Sequence, residues 1–432
     1  MPTELAYFIS TNRMIDTHEH QPGEEQWVRD GAKDILNDLF GNYQRDDLIA
    51  AGATPDELTR AFDHTNPDIA GRFALLARAW HAMRHTGYAE KVRLHARRLY
   101  GVQEITPETL AAVNHVVAEY RQPGQRLRLL RDEARLDHIQ SDFFSYRVVP
   151  DPSGVDFFLY DLSWAGFSNG QINFEEVARD TGIAVGNLKQ LRDAMAAIFS
   201  RFGPAAIAVK TQHAYNRTLQ WQPRSDADAA RALETVLRWP RTADESARLC
   251  LGDWCLARGV ELAIEHNLPV KIHTGYYAGN DRMPLDWVQP ANLCVLLKAY
   301  PRARFVLMHM GYPYGEELVA LAKHYANVYV DLCWAWSINP FASMNFVRSY
   351  LHAAPINKLF AFGGDCFSPT HCVAYSLQTR KWLTRALQAE VEAREMSEQE
   401  AIAIVTQITR TNQQACFDIE GRRAYLREAL AK

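Results

Sequence analysis

Phe305-Val306-Leu307-Met308-His309-Met310-Gly311 decides how this chain reads: four apolar residues in a row, then a histidine, then a glycine two positions on. A run so short and so uniformly apolar fits a strand buried on both faces of a parallel sheet. The pattern recurs. Leu268-Pro269-Val270-Lys271-Ile272 ends in His273, Val328-Tyr329-Val330 ends in Asp331, and Leu359-Phe360-Ala361-Phe362-Gly363-Gly364 ends in Asp365. Strand candidates lie at 14–18, 136–147, 156–162, 204–210, 268–273, 303–309, 326–331 and 357–364, eight in all. Helical stretches at 188–201, 223–238, 246–266, 290–300 and 315–325 fill the gaps between the later ones. Eight strands alternating with helices predict an α/β fold, a (β/α)8 TIM barrel.

One long interruption separates the first strand from the second. Residues 21–134 read as helical: Phe73, Leu76, Ala77, Trp80 and Met83 recur at the helical period, which predicts a buried face. Thr54-Pro55 and Thr106-Pro107 read as an N-cap followed by proline at the first helical position, and Tyr100-Gly101 reads as a stop. The predicted organisation is a barrel formed by 1–20 and 135–432, with 21–134 as a helical insertion at the barrel mouth that also offers a surface for a homo-oligomer. The tail from about 376 is expected to be helical, with a capping box at Ser397-Glu398-Gln399-Glu400.

Composition narrows the function classes. The 432 residues carry a net charge of −4 and no dense Lys/Arg run, which argues against nucleic acid as partner. No stretch of 18 apolar residues and no basic-then-apolar leader occurs, so neither a membrane span nor a signal peptide is expected. Seven cysteines without a C-x-x-C pair fit buried thiols in a reducing compartment, and the expected location is cytoplasmic.

The chemistry-bearing residues gather at the strand ends. Asp16-Thr17-His18-Glu19-His20 closes the first strand, and positions i and i+2 of a strand share a face, so His18 and His20 can hold one metal ion while Glu19 points away. A lone His-x-His is a weak signal. It strengthens because His273, His309 and Asp365 also end strands, at the active face of a barrel. A barrel unit takes about 31 residues. His273 and His309 are 36 residues apart, one unit, and His309 and Asp365 are 56 apart, two units, so all should converge on one axial point. Lys271, two before His273, should point into the barrel and need a carboxylate partner. Lys210 ends the run Ala206-Ile207-Ala208-Val209 and should face the mouth. Trp334 could wall a substrate pocket, and Arg217 could clamp a substrate carboxylate. Cys366, beside Asp365, reads as packing.

This pattern, with Ile15-Asp16-Thr17-His18-Glu19-His20, Leu307-Met308-His309-Met310-Gly311-Tyr312-Pro313 and Gly363-Gly364-Asp365, resembles the amidohydrolase superfamily, and within it the amidohydrolase-related (family 2) branch. The insertion and Asp331-Leu332-Cys333-Trp334 resemble the uronate isomerase side of that superfamily. The resemblance implies that His18, His20, His273 and Asp365 bind a divalent transition metal, most often zinc. His309 would be a second-metal ligand or a catalytic imidazole. Lys210 would be either a carboxylated bridge between two metals or an ammonium for an anionic substrate; the neighbouring polar run Thr211–Arg217 favours the ammonium.

It also implies a small-molecule substrate and a metal-dependent hydrolase of a small amide, ester or lactone. A water made acidic at the metal would attack, Asp365 would shuttle its proton, and His309 would polarise the scissile carbonyl. The alternative is a decarboxylase or a uronate-isomerase-like enzyme acting on a small carboxylic acid. Uronate isomerases carry an arginine shortly after the strand-8 aspartate, and Cys366-Phe367-Ser368-Pro369-Thr370-His371 has none.

Overall fold

The structure, a computed structural model, describes residues 3–431. Eight parallel strands follow one another around the sheet in chain order: β1 Met14–Glu19, β2 Leu136–Ser141, β3 Phe158–Ser163, β4 Ala206–Thr211, β5 Val270–Ile272, β6 Phe305–Leu307, β7 Val328–Asp331 and β8 Leu359–Phe360. Main-chain bonds then join β1 to the segment leaving β8: Thr17 N–H donates to the Phe362 carbonyl, Asp365 N–H to that of His18, and His20 N–H to that of Cys366. The barrel is thereby nearly closed, and the (β/α)8 reading holds. Its strands read as apolar runs because helices cover their outer faces; Phe305, Val306 and Leu307 are all fully buried.

Several strands stop earlier than their apolar patterns predict. β2 ends at Ser141, where Asp142 turns the chain: its side chain accepts from the Phe144 N–H at 2.9 Å, and Phe144 sits at φ 56°. β8 is only two residues long. Beyond it Gly363 and Gly364 pass so close to β7 and β1 that an added Cβ would lie 2.6 Å from Cys333 Sγ or 2.0 Å from a Glu19 oxygen.

Between β1 and β2 the chain forms a succession of helices rather than one long element, the longest being Ile69–Met83 and Gly87–Tyr100. Thr54 and Thr106 cap their helices, each with proline in the first turn, and Gly101 stops its helix at φ 69°. On Ile69–Met83 the buried face includes Phe73, Leu76, Ala79 and Met83; Ala77 is exposed, so the helical period placed it one step off. Helix Gly87–Tyr100 lies along Pro369–Glu392, the long helix after β8. There Gln378 donates to the Gly87 carbonyl, and Glu90 takes bonds from Gln378, Lys381 and Trp382. The segment after β5 also reaches the helices between β1 and β2, with Gly279 N–H donating at 2.8 Å to Asp46 of helix Gln44–Ala50. Ser397 and Glu400 form the expected capping box in the helical tail. All seven cysteines are free thiols, five of them buried. Among the described residues, no helix is long and apolar enough to cross a membrane.

A fully buried ion pair lies in the barrel interior. Lys271 on β5 meets both oxygens of Asp161 on β3, at 2.8 and 2.9 Å, and donates to the Thr17 carbonyl at 2.6 Å. Asp161 is the carboxylate that the position of Lys271 requires. Removing one partner of such a pair strands the other charge, at a cost of about 3–5 kcal/mol. Lys271→Met should therefore lower unfolding stability by about that amount in urea titrations. A loss below about 1 kcal/mol would mean that Asp161 is held by other groups.

Candidate metal centre

Each metal-type side chain is delivered by a strand end. His18 and His20 leave β1 on one face, and their rings meet edge to face with centroids 4.7 Å apart. Asp365 stands opposite them, drawn in by its main-chain bond to His18. One carboxylate oxygen lies 3.4 Å from His18 Nε2 and 3.2 Å from His20 Nε2; the other lies 3.9 Å from His309 Nε2. Two ligand atoms each ~2.1 Å from one ion at a tetrahedral angle stand about 3.4 Å apart. The spacing around Asp365 is that of a ligand shell. His18, His20 and Asp365 form one compact donor group, and His309, Cys333 and Asp365 form a second.

The imidazoles are prepared for the role. His20 Nδ1 is 2.7 Å from the Asp142 carbonyl, His309 Nδ1 is 2.9 Å from that of Cys333, and His273 Nε2 is 2.9 Å from that of Tyr276. Each carbonyl can only accept, so the ring nitrogen facing it carries the proton and the other nitrogen keeps a lone pair. His309 Nε2 is buried and has no hydrogen-bond partner, nor does His18 Nδ1, which looks toward Asp161 at 3.6 Å. A buried unpartnered nitrogen such as His309 Nε2, which faces the Asp365 carboxylate at 3.9 Å, is costly unless something occupies the space beside it. A cation fits this donor set.

Electrostatics agree. Burial would raise the pKa of Asp365, but His18, His20 and His309 outweigh it and hold the carboxyl well below its ordinary value. Burial pulls His309 down to about 4, so its ring is neutral at pH 7. For His20, burial is overcome by Asp365 and Asp142, and its pKa is raised. Behind the site, burial lifts Asp331 to about 7; its carboxylate accepts from Thr17 at 2.6 Å and from the Cys333 N–H at 2.9 Å. Non-glycine residues at positive φ gather here: Phe144 after β2, His309 and Met310 after β6, Trp334 after β7 and Asp365 after β8. Such backbones cost of order 1–3 kcal/mol each and concentrate at functional sites.

A cavity of about 380 Å³ opens over this cluster, and its wall includes His18, His20, His273, Asp365 and Lys210. His273 stands one ring away from the Asp365 group, its centroid 4.2 Å from that of His309. Lys210 is buried, and burial lowers its pKa against the pull of Asp142, Asp365 and Asp161; it reaches Gln212 at 3.4 Å.

Two residues expected in substrate binding lie elsewhere. Arg217 is turned into the protein, where it pairs with Asp253 at 2.6 Å and donates to the carbonyls of Ser168 and Leu249. With its donors spent on that buried anchor, it cannot clamp a substrate. Trp334 is buried behind the site; its ring stands perpendicular to that of His309, 5.5 Å away, and packs 4.4 Å from Tyr43. The residues that do wall the cavity include Tyr43 from the insertion, Phe144, Tyr215 and Phe367. Tyr215 lies in the polar run after β4, and Asp161 interrupts an apolar strand, signals the sequence does offer. Tyr43 lies in a region with no strand register to place it.

Residues 203–405 match the Amidohydro_2 family model, described as Amidohydrolase. Protein fluG of Emericella nidulans is 25% identical over 395 residues, which is 86% of this chain and 42% of that protein, so the chain spans less than half of this curated relative's length. A uronate isomerase of Thermotoga maritima superposes with a TM-score of 0.79 at 14% identity, covering 96% of this chain and 98% of its own. A glucuronate isomerase from Caulobacter crescentus gives 0.78 at 16% identity, covering 95% and 92%. The two structures share this fold along nearly its whole length, the helices between β1 and β2 included. The chain thus sets metal-type residues at the ends of β1, β5, β6 and β8 of a barrel whose residues 203–405, just under half of the chain, match the amidohydrolase family model.

Proposed function

We propose that the protein is a metal-dependent hydrolase of a small amide, ester or lactone whose acyl part carries a carboxylate. One observation carries this reading: the Asp365 carboxylate, set 3.2–3.9 Å from three imidazole nitrogens, opens onto a cavity in which Lys210 is the one Lys or Arg among the described wall residues. His18, His20 and Asp365 would hold the ion, with His273 and His309 beside them. A divalent metal such as zinc supplies Lewis acidity there and lowers the pKa of a water towards ~7.

The chain's own groups do the rest. Asp365 stays ionised, so a carboxylate oxygen accepts the proton of the attacking water and returns it to the leaving nitrogen or oxygen. The Lys210 ammonium pairs with the substrate's carboxylate and fixes the scissile carbonyl over the cluster. His309, protonated on Nδ1, presents a lone pair at Nε2. It therefore serves as a ligand or a base in this tautomer rather than as the hydrogen-bond donor that polarising a carbonyl requires.

A uronate-isomerase reaction is the second reading, favoured by the whole-chain likeness in fold. Against it, no arginine follows Asp365 before His371, and Arg217 is occupied elsewhere. Screening the metal-loaded protein against small amides and lactones, aromatic carboxylates and D-glucuronate separates hydrolysis, CO₂ release and ketose formation. Ketose from glucuronate without amide or lactone hydrolysis would reverse the order.

Protein purified without chelator should contain at least one transition metal per chain by elemental analysis. Occupancy should fall as pH is lowered, because a proton on His20, whose pKa is raised, competes with the ion. Metal-free protein at neutral pH would count against the site. Asp365→Asn keeps an acceptor oxygen and suits the positive φ, yet cannot take a proton. It should lose turnover by about 10²–10⁴ while retaining much of the metal. Near-native turnover would remove the shuttle role from Asp365.

A further inference from the structure

A second cavity, of about 470 Å³, lies beside the metal centre, between the insertion and the ends of β1, β2 and β8. His20, Phe144 and Phe367 line both cavities, so a single ligand can span them. The two phenylalanine rings flank the His20 imidazole, 4.3 and 5.0 Å away and within 14° and 18° of parallel. They are 56% and 48% exposed, an unusual display of apolar surface beside a buried polar cluster. Phe144 is held there in a left-handed backbone that costs energy. Trp27, from the insertion, adds a buried aromatic wall.

Charge separates the two cavities. The metal cavity offers Lys210; the second has Asp30, Asp38 and Asp142 in its wall and, among its described residues, no lysine or arginine. Asp38 is engaged by Tyr100, His95 and Thr370, and Asp30 is paired with Arg29, so the wall is mildly negative rather than a cation trap. His371, also in this wall, gives its Nε2 proton to the Asp38 carbonyl, which leaves Nδ1 as a buried acceptor with no partner.

We infer that this cavity seats the leaving group of the substrate, a neutral or cationic amine with a flat apolar body, while the carboxylate of the acyl part points to Lys210. The inference rests on the hydrolase reading and extends it to a substrate class: amides that join a small dicarboxylic acyl group to an aryl-type amine. Flat faces stack on Phe144 and Phe367, amine N–H groups meet acceptors, and an anionic leaving group is repelled.

The test uses the zinc-loaded full chain and four glutaryl amides, made from aniline, 4-aminobenzylamine, 4-aminobenzoate and ammonia. The first two should show kcat/KM at least about tenfold above the last two. Ala32→Phe, which fills the cavity, should cut the preference for the anilide over the primary amide by about tenfold. Asp30→Lys, at an exposed position, should raise the aminobenzoate amide relative to the anilide by about threefold. Equal kcat/KM for all four, unmoved by Ala32→Phe, overturns the subsite and leaves the hydrolase reading standing. No turnover of any amide, with calorimetric binding of the anilide that Ala32→Phe weakens, overturns the hydrolase reading and keeps the cavity as a binding site. Neither turnover nor binding removes both.

Discussion

The main-chain bond from Asp365 N–H to the His18 carbonyl is the contact on which the site depends. It belongs to a short ladder that joins the end of β8 to β1, with Thr17 bonded to Phe362 and His20 to Cys366. Closing the barrel in this way brings the last strand's carboxylate against the first strand's two imidazoles, although 347 and 345 residues separate Asp365 from His18 and His20 in the chain. The ladder is possible because Gly364 has no side chain to strike Glu19 and because Asp365 accepts φ 51°, a backbone that aspartate tolerates better than most residues. Glu19 closes the same joint from the other side. Its carboxylate accepts from the Cys366 N–H and from Gln21, both within 3.0 Å, so the residue between the two histidines braces the segment that carries Asp365.

Charge is then managed in layers below the cavity. The deepest is the Lys271–Asp161 pair, whose lysine also grips the Thr17 carbonyl and whose aspartate looks up at His18. Above it, Thr17 bridges Asp331 and the Phe362 carbonyl. Asp331 fixes the Cys333 main chain, and the Cys333 carbonyl fixes His309. The His309 imidazole is thus oriented by a carbonyl that is itself held, and its free Nε2 faces the Asp365 carboxylate. Preorganisation of this kind keeps ligand atoms in place at little cost in side-chain entropy when an ion arrives.

The barrel and its ring of metal-type residues were legible in the sequence because a strand-end position is set by local periodicity: four apolar residues followed by His309 fix both the strand and the face of its last side chain. The limits of strands were not legible, since β2 and β8 end where Asp142 turns the chain and where glycines slip past neighbouring strands, contacts between distant segments. Arg217 misled for the same reason. It lies in a polar run beside the mouth, yet Asp253 draws it inward, and nothing local announces that pairing. Lys271 shows the reverse case: its demand for a carboxylate was clear from burial alone, while the identity of Asp161, two strands away, needed the fold.

Metal-type residues at the strand ends of a barrel suit many reactions, so they cannot choose one; the walls must. Here the walls come from segments whose positions periodicity does not fix. Tyr43 and Trp27 descend from the helices between β1 and β2, Phe144 from the turn after β2, and Phe367 from the strand-8 exit. Their placement depends on the insertion being seated on helix Pro369–Glu392, through Glu90 with Lys381 and Trp382 and through Asp38 with Thr370 and His371. The same long helix starts four residues after Asp365. The insertion and Asp365 therefore share one support, helix Pro369–Glu392, so the packing that places the walls also bears on the segment that carries Asp365.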